Sequence, residues 1–197
     1  MRNHRRSFLR LFAATSALVT TLCAAGAQDL QLPDLMRLLA VQKSGKATFV
    51  ERKYIALLDK PVVSSGELSF TAPDRLEKRT LSPKPESLVL VGDRLSIDAN
   101  GKKININLLS HPEAAPFVES IRGTLAGDLG ALERFYSLQL SGPAEHWTLQ
   151  LVPWQPEMLR IVSRIRFEGN QSAVNLIVFE QADGDRSEMR ITQAPAR

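Results

Sequence analysis

Leu88-Val89-Leu90-Val91-Gly92-Asp93-Arg94-Leu95-Ser96-Ile97-Asp98-Ala99-Asn100-Gly101-Lys102-Lys103-Ile104-Asn105-Ile106-Asn107-Leu108 carries the pattern that decides the fold of this 197-residue chain. Leu88 to Val91 reads as a strand and Gly92-Asp93 as a tight turn. Leu95 and Ile97 lie on the next strand, Ala99-Asn100-Gly101 turns it, and Ile104, Ile106 and Leu108 alternate on another. Connections this short can only join antiparallel neighbours. The same grammar runs upstream. Lys46 to Leu58, rich in β-branched and aromatic residues, turns at Lys60-Pro61 into Val62 to Thr71. There Leu68, Phe70 and Ala72 share one side, and Glu67, Ser69 and Thr71 the other. Pro73-Asp74 leads into Arg75 to Leu81, a strand of alternating charges that ends at Pro83-Lys84-Pro85.

Downstream the period changes. Ser110-His111-Pro112-Glu113 has the form of a capping box, and Phe117, Ile121 and Leu125 follow at four-residue spacing. Pro116 moves the expected helix start toward Ala115. Gly127-Asp128 interrupts, and Leu129, Leu132 and Phe135 continue the apolar stripe. Strands resume at Tyr136–Leu140, then Trp147–Leu151, Val162–Glu168, Ala173–Gln181 and Glu188–Thr192, with one helical turn between Pro153 and Leu159. Before the first strand, Leu35, Leu38, Leu39 and Gln42 mark a short amphipathic helix with Gly45 as its stop. The expected class is α+β, with nine to eleven antiparallel strands. Its helices must bury their stripes against one face of a curved sheet.

The first 27 residues read as an address. Arg2, Arg5, Arg6 and Arg10 form a basic region without an acid, Leu11 to Cys23 a short apolar core, and Ala25-Gly26-Ala27 a small-x-small cleavage site. The span is too short and too weakly apolar for a membrane anchor. Arg5-Arg6 followed by Phe8-Leu9 also fits twin-arginine export, so Sec and twin-arginine routes both stand. Residues 28–197 then form a single domain outside the bacterial cytoplasm, in the periplasm. The four arginines of the address account for the whole excess of 25 Lys and Arg over 21 Asp and Glu. The remaining domain is formally neutral and offers no electrostatic case for nucleic acid. Cys23, the one cysteine, leaves with the address. It lacks the small preceding residue of a lipid-attachment site, because Leu22 stands there.

Catalytic patterns are missing. His111 and His146 have no Ser or Cys partner in a recognisable motif and no metal-ligand spacing. Asp183-Gly184-Asp185 lacks the further ligands of a calcium loop and reads as a hairpin turn. No metal or other cofactor is expected. Glu51-Arg52-Lys53 and Glu77-Lys78-Arg79 read as solvated strand faces, the alternative being the rim of a site.

What remains is an apolar sheet face partly covered by helices, which makes a greasy cavity able to shield an acyl chain. Each shielded methylene is worth roughly 0.8 kcal/mol, so such a chain needs a continuous lining. The candidates are Phe49, Leu68, Phe70, Leu88, Leu90, Leu149 and Phe167 from strands, and Phe117, Ile121 and Leu125 from the covering helix. Plain core packing is the competing reading, since apolar alternation serves both purposes.

An N-terminal helix leading into Phe49-Val50-Glu51, the strand Gly66 to Phe70 ending at Pro73, and Leu88 to Leu95 follow one another in an order that resembles the LolA-like periplasmic carriers of outer-membrane lipoproteins. The resemblance spans essentially the whole domain. It implies an unclosed antiparallel β-barrel with a helical lid over a hydrophobic cavity. It also implies a monomeric carrier that takes acylated lipoprotein or lipid cargo from an inner-membrane donor to an outer-membrane acceptor, with no cofactor and no covalent chemistry. Two departures stand out. Ala72 occupies the place where typical members put an arginine thought to hold the lid, and Leu76 and Lys78 replace the usual aromatic pair. The alternatives are a protein-interaction or envelope-sensing module on the same half-barrel and, least favoured by the residues, an enzyme acting on envelope lipids.

Overall fold

The computed structural model describes residues 29–194. The address at 1–27 lies outside the described residues. A first helix, α1 (Leu32–Ala40), carries Pro33 in its first turn, where the missing N–H costs nothing, and buries Leu35, Met36 and Leu39 on one face. Six strands follow: β1 (Ser44–Tyr54), β2 (Val62–Thr71), β3 (Arg75–Ser82), β4 (Glu86–Val91), β5 (Arg94–Ala99) and β6 (Lys102–Asn107). Helices α2 (Ala115–Ala126) and α3 (Leu129–Glu133) lead to β7 (Tyr136–Ser141) and β8 (Trp147–Pro153). The one-turn α4 (Pro156–Leu159) precedes β9 (Val162–Asn170), β10 (Ala173–Gln181) and β11 (Arg186–Gln193).

All eleven strands form one antiparallel sheet in the order β6-β5-β4-β3-β2-β1-β11-β10-β9-β8-β7. Every neighbour is a hairpin partner except β1 and β11, which pair from Ala47–Gln193 to Tyr54–Arg186 and join the two halves of the chain. Strands β6 and β7 are the free edges, so the sheet is an unclosed barrel. The connection between those edges is the helical segment, which is therefore carried across the inner face.

The closed core occupies only one half. Leu35, Met36 and Leu39 of α1 and Leu132 of α3 pack on Trp147, Leu149, Leu151, Ile165 and Phe167 of β8 and β9. Trp147 is fully buried and donates its indole N–H to the Gln171 carbonyl at 2.9 Å, which satisfies its one polar atom. The elements that α2 packs against most closely are α1 and α3.

Several boundaries differ from the sequence reading, each for a local reason. β1 stops at Tyr54, because Ile55–Leu58 closes a turn with the Leu58 N–H on the Ile55 carbonyl at 2.9 Å. α1 ends at Ala40 with Val41 still in right-handed geometry, and Gly45 lies inside β1 and stops nothing. Leu108 leaves β6 for a 3-10 turn, capped by the Asn107 side chain accepting the Leu109 N–H at 3.1 Å. The expected capping box does not form. His111 starts a second short 3-10 turn at Pro112–Ala114 without its side chain capping the backbone, and the true helix begins at Ala115 with Pro116 in its first turn.

Candidate functional site

Strand register places three rows of inward side chains beneath α2. Gly45, Phe70, Leu76, Leu90 and Leu95 face one another across β1 to β5. One step along come Ala47, Leu68, Lys78, Leu88 and Ile97, and then Phe49, Gly66, Thr80 and Glu86. The first two rows are almost wholly apolar and the third is mixed. Over them lies α2, whose surface divides in two. Ser120, Gly123 and Thr124 are buried, with Gly123 set directly against Leu132. Phe117, Ile121 and Leu125 are only half-buried. The hydroxyls on the buried face are satisfied within the helix, Ser120 on the Phe117 carbonyl at 2.7 Å and Thr124 on the Ser120 carbonyl at 2.6 Å. The apolar stripe of α2 packs against the core on one side and borders open space on the other.

That space is a cavity of about 210 Å³. Six of the ten residues expected to line it do so: Leu68, Phe70, Leu88, Leu90, Ile121 and Leu125. Phe117 lines a neighbouring pocket of about 380 Å³ with Phe179 and Ile161. Phe49 is buried under the ammonium of Lys78, 5.0 Å from its ring centre. Leu149 and Phe167 belong to the closed core, with no exposure. The far wall, Val174, Ile177, Met189 and Ile191, comes from β10 and β11, distant in sequence, and no local pattern marks it as lining.

Glu51 is 5 % exposed and contradicts the solvated reading of its charge run. Its carboxylate accepts from Lys78 Nζ at 2.6 Å, from Ser187 Oγ at 2.6 Å and from Ser64 Oγ at 3.5 Å. Lys53 Nζ stands 3.8 Å away. Burial pushes this carboxyl up. The hydrogen bonds of Lys78 and Ser187 and the charges of Lys78 and Lys53 outweigh that and hold it below its ordinary value. Lys78 lines the apolar cavity and Glu51 lines its neighbour, so the ion pair divides the two.

The lid is tied by residues that the apolar stripe does not include. Arg122 of α2 donates from Nη1 to the Gly92 carbonyl in the β4–β5 turn at 3.1 Å and pairs with Glu119 on its own helix. Tyr136 of β7 donates to the Pro116 carbonyl at 2.8 Å, and burial pushes its phenol pKa up. At the other end of α2, Gly127 adopts φ 68° and sits against Met36 and Ala40 of α1. Ala72 offers the lid no polar side chain, and its N–H bonds the Lys43 carbonyl at 2.8 Å.

His111 is exposed beside Glu113 at 3.1 Å. Among the described residues no cluster of three or more His, Cys, Asp or Glu is placed to hold a metal ion. Asp183-Gly184-Asp185 is a hairpin turn, with Asp183 Oδ1 accepting the Asp185 N–H at 3.0 Å. None of the described helices is long and apolar enough to cross a membrane.

Comparison with solved structures finds a LolA superfamily protein from Nitrosomonas europaea, 9% identical, covering 85% of this chain and 96% of that one with a TM-score of 0.46. It also finds the MucA/MucB complex of Pseudomonas aeruginosa, 16% identical, covering 84% of this chain and 59% of that one with a TM-score of 0.43. No curated protein sequence matches the chain. A model of the family described as outer membrane lipoprotein carrier protein LolA-like matches residues 24–195, and the chain belongs to that family.

Proposed function

We propose that this protein is a periplasmic carrier that shields the acyl chains of lipoproteins or other lipids in transit toward the outer membrane. It works as one domain, residues 28–197, after removal of its export segment. It receives cargo from an inner-membrane donor and releases it to an outer-membrane acceptor, with no cofactor and no covalent step. The observation that carries this reading is the half-buried stripe of α2. Ile121 and Leu125 touch the core on one side and on the other line an apolar hollow that a fully packed interior would fill. Family membership supports it. At about 210 Å³ the hollow is smaller than the roughly 300–1,000 Å³ of pockets for drug-sized ligands. In this conformation it suits one slender chain, and bulkier cargo requires α2 to lift.

The test is displacement of a fluorescent fatty-acid probe from the folded protein, with Leu88→Asn as the variant. Saturable binding is expected, weakened about tenfold by an unpaired amide in the wall. A folded protein that binds no probe overturns the reading. A stable complex with an envelope protein that Leu88→Asn leaves intact assigns the interaction or sensing role instead.

A further inference from the structure

The apolar cavity contains one inward-facing ammonium. Lys78 follows Leu76 along the inner face of β3 and stands between Leu68 and Leu88 in register. Glu77, the other charged residue at the lining, alternates to the outer face and holds Arg75 at 3.3 Å. An ammonium has three donors. Among the described residues Lys78 spends one, on Glu51 at 2.6 Å, and its charge lies against the Phe49 ring. Glu51 does not depend on Lys78 alone, since Ser187, Ser64 and Lys53 also approach it. The pair can therefore open toward a second acceptor without stranding a buried carboxylate.

We propose that Lys78 is the head-group site of this cavity, and that the preferred occupant is a single-chain amphiphile with a carboxylate head, a fatty acid in its simplest form. The inference rests on the carrier reading above and names the ligand class within it. The carboxylate sits at Lys78, where the lining changes from apolar to polar toward Glu51 and Ser187. The alkyl chain runs along Leu76, Leu88 and Leu90 beneath Ile121 and Leu125. A charge-assisted bond inside an apolar wall is roughly twice as strong as a neutral one. An ester, amide or alcohol head therefore gains less from the same ammonium.

The experiment measures the affinity of laurate against lauryl alcohol by calorimetry on the wild-type protein, Lys78→Met and Glu51→Gln. Folding is checked by circular dichroism. The wild type is expected to prefer the acid about tenfold. Lys78→Met, which keeps length and loses charge, brings the ratio to about one. Glu51→Gln, which removes the competing anion, raises the ratio and tests the idea independently if Lys78→Met does not fold. Equal binding of acid and alcohol by the wild type overturns the head-group site and leaves the carrier reading standing, as does a preference that survives in Lys78→Met. Failure of the wild type to bind either compound overturns the carrier reading itself.

Discussion

At Glu51 a buried carboxylate is kept ionised by two lysines and two hydroxyls. Because its native pKa is lowered, the folded state binds its proton less readily than the unfolded chain does. The stabilisation is complete above the ordinary value of 4.5 and is lost as pH falls through the lowered native value. Urea denaturation at about pH 7 and about pH 3 should show a larger loss for the wild type than for Glu51→Gln, whose amide does not titrate. Gly169 gives a second prediction at this scale. A Cβ there collides with the Trp147 ring and the Ala173 carbonyl. Gly169→Ala should cost about 3 kcal/mol and lower Tm by roughly 6–12 °C in a thermal melt. Both residues were opaque in the sequence. Glu51 stands in a charge run, and a run of charges on a strand ordinarily faces water. Its burial depends on Lys78 and Ser187, 27 and 136 residues away.

Among the elements, α2 covers part of the hollow and is held at discrete points. Its packed face is small and internally satisfied, its apolar stripe borders the hollows, and its ties to the sheet include Arg122 on Gly92 and Tyr136 on Pro116. Arg122→Leu removes one tie and leaves Glu119, 8% exposed, without its cation. The cost should be about 2 kcal/mol of stability. Release of a bound fluorescent fatty acid, followed by stopped flow, should become faster than in the wild type. The helix itself was legible from the spacing of Phe117, Ile121 and Leu125, and the glycine stop at Gly127 from its place before Asp128. The latch was not, because an arginine beside an apolar stripe looks the same whether it meets solvent or a carbonyl of a distant turn. Ala72 had pointed to a missing tie from the sheet. In the structure the helix supplies an arginine of its own, reaching the opposite way.

Over the whole molecule, the closed core and the hollow lie side by side and share Leu39, Val174 and Ile177 at their boundary. Strands β8 to β10 with α1 and α3 hold the closed core, and β1 to β5 present inward residues to the hollow. Affinity for linear fatty acids should rise about fourfold with each added methylene, the equivalent of roughly 0.8 kcal/mol, until the hollow is full. Calorimetry across a homologous series will locate the plateau, and Arg122→Leu should move it to longer chains if the lid limits capacity.

The sequence alone determined the antiparallel meander, the central helices and the apolar face of each strand. Those depend on turn residues and on periods of two and 3.6, which are local properties of a chain. Only the tertiary structure decided which apolar residues pack and which surround a void. Leu149 and Leu88 alternate alike, yet α1 and α3 close over the half that holds Leu149, while α2, tied to its own helical neighbours, spans the half that holds Leu88 without filling it. Occupied and empty space differ by how distant elements meet, and no neighbouring residues encode that.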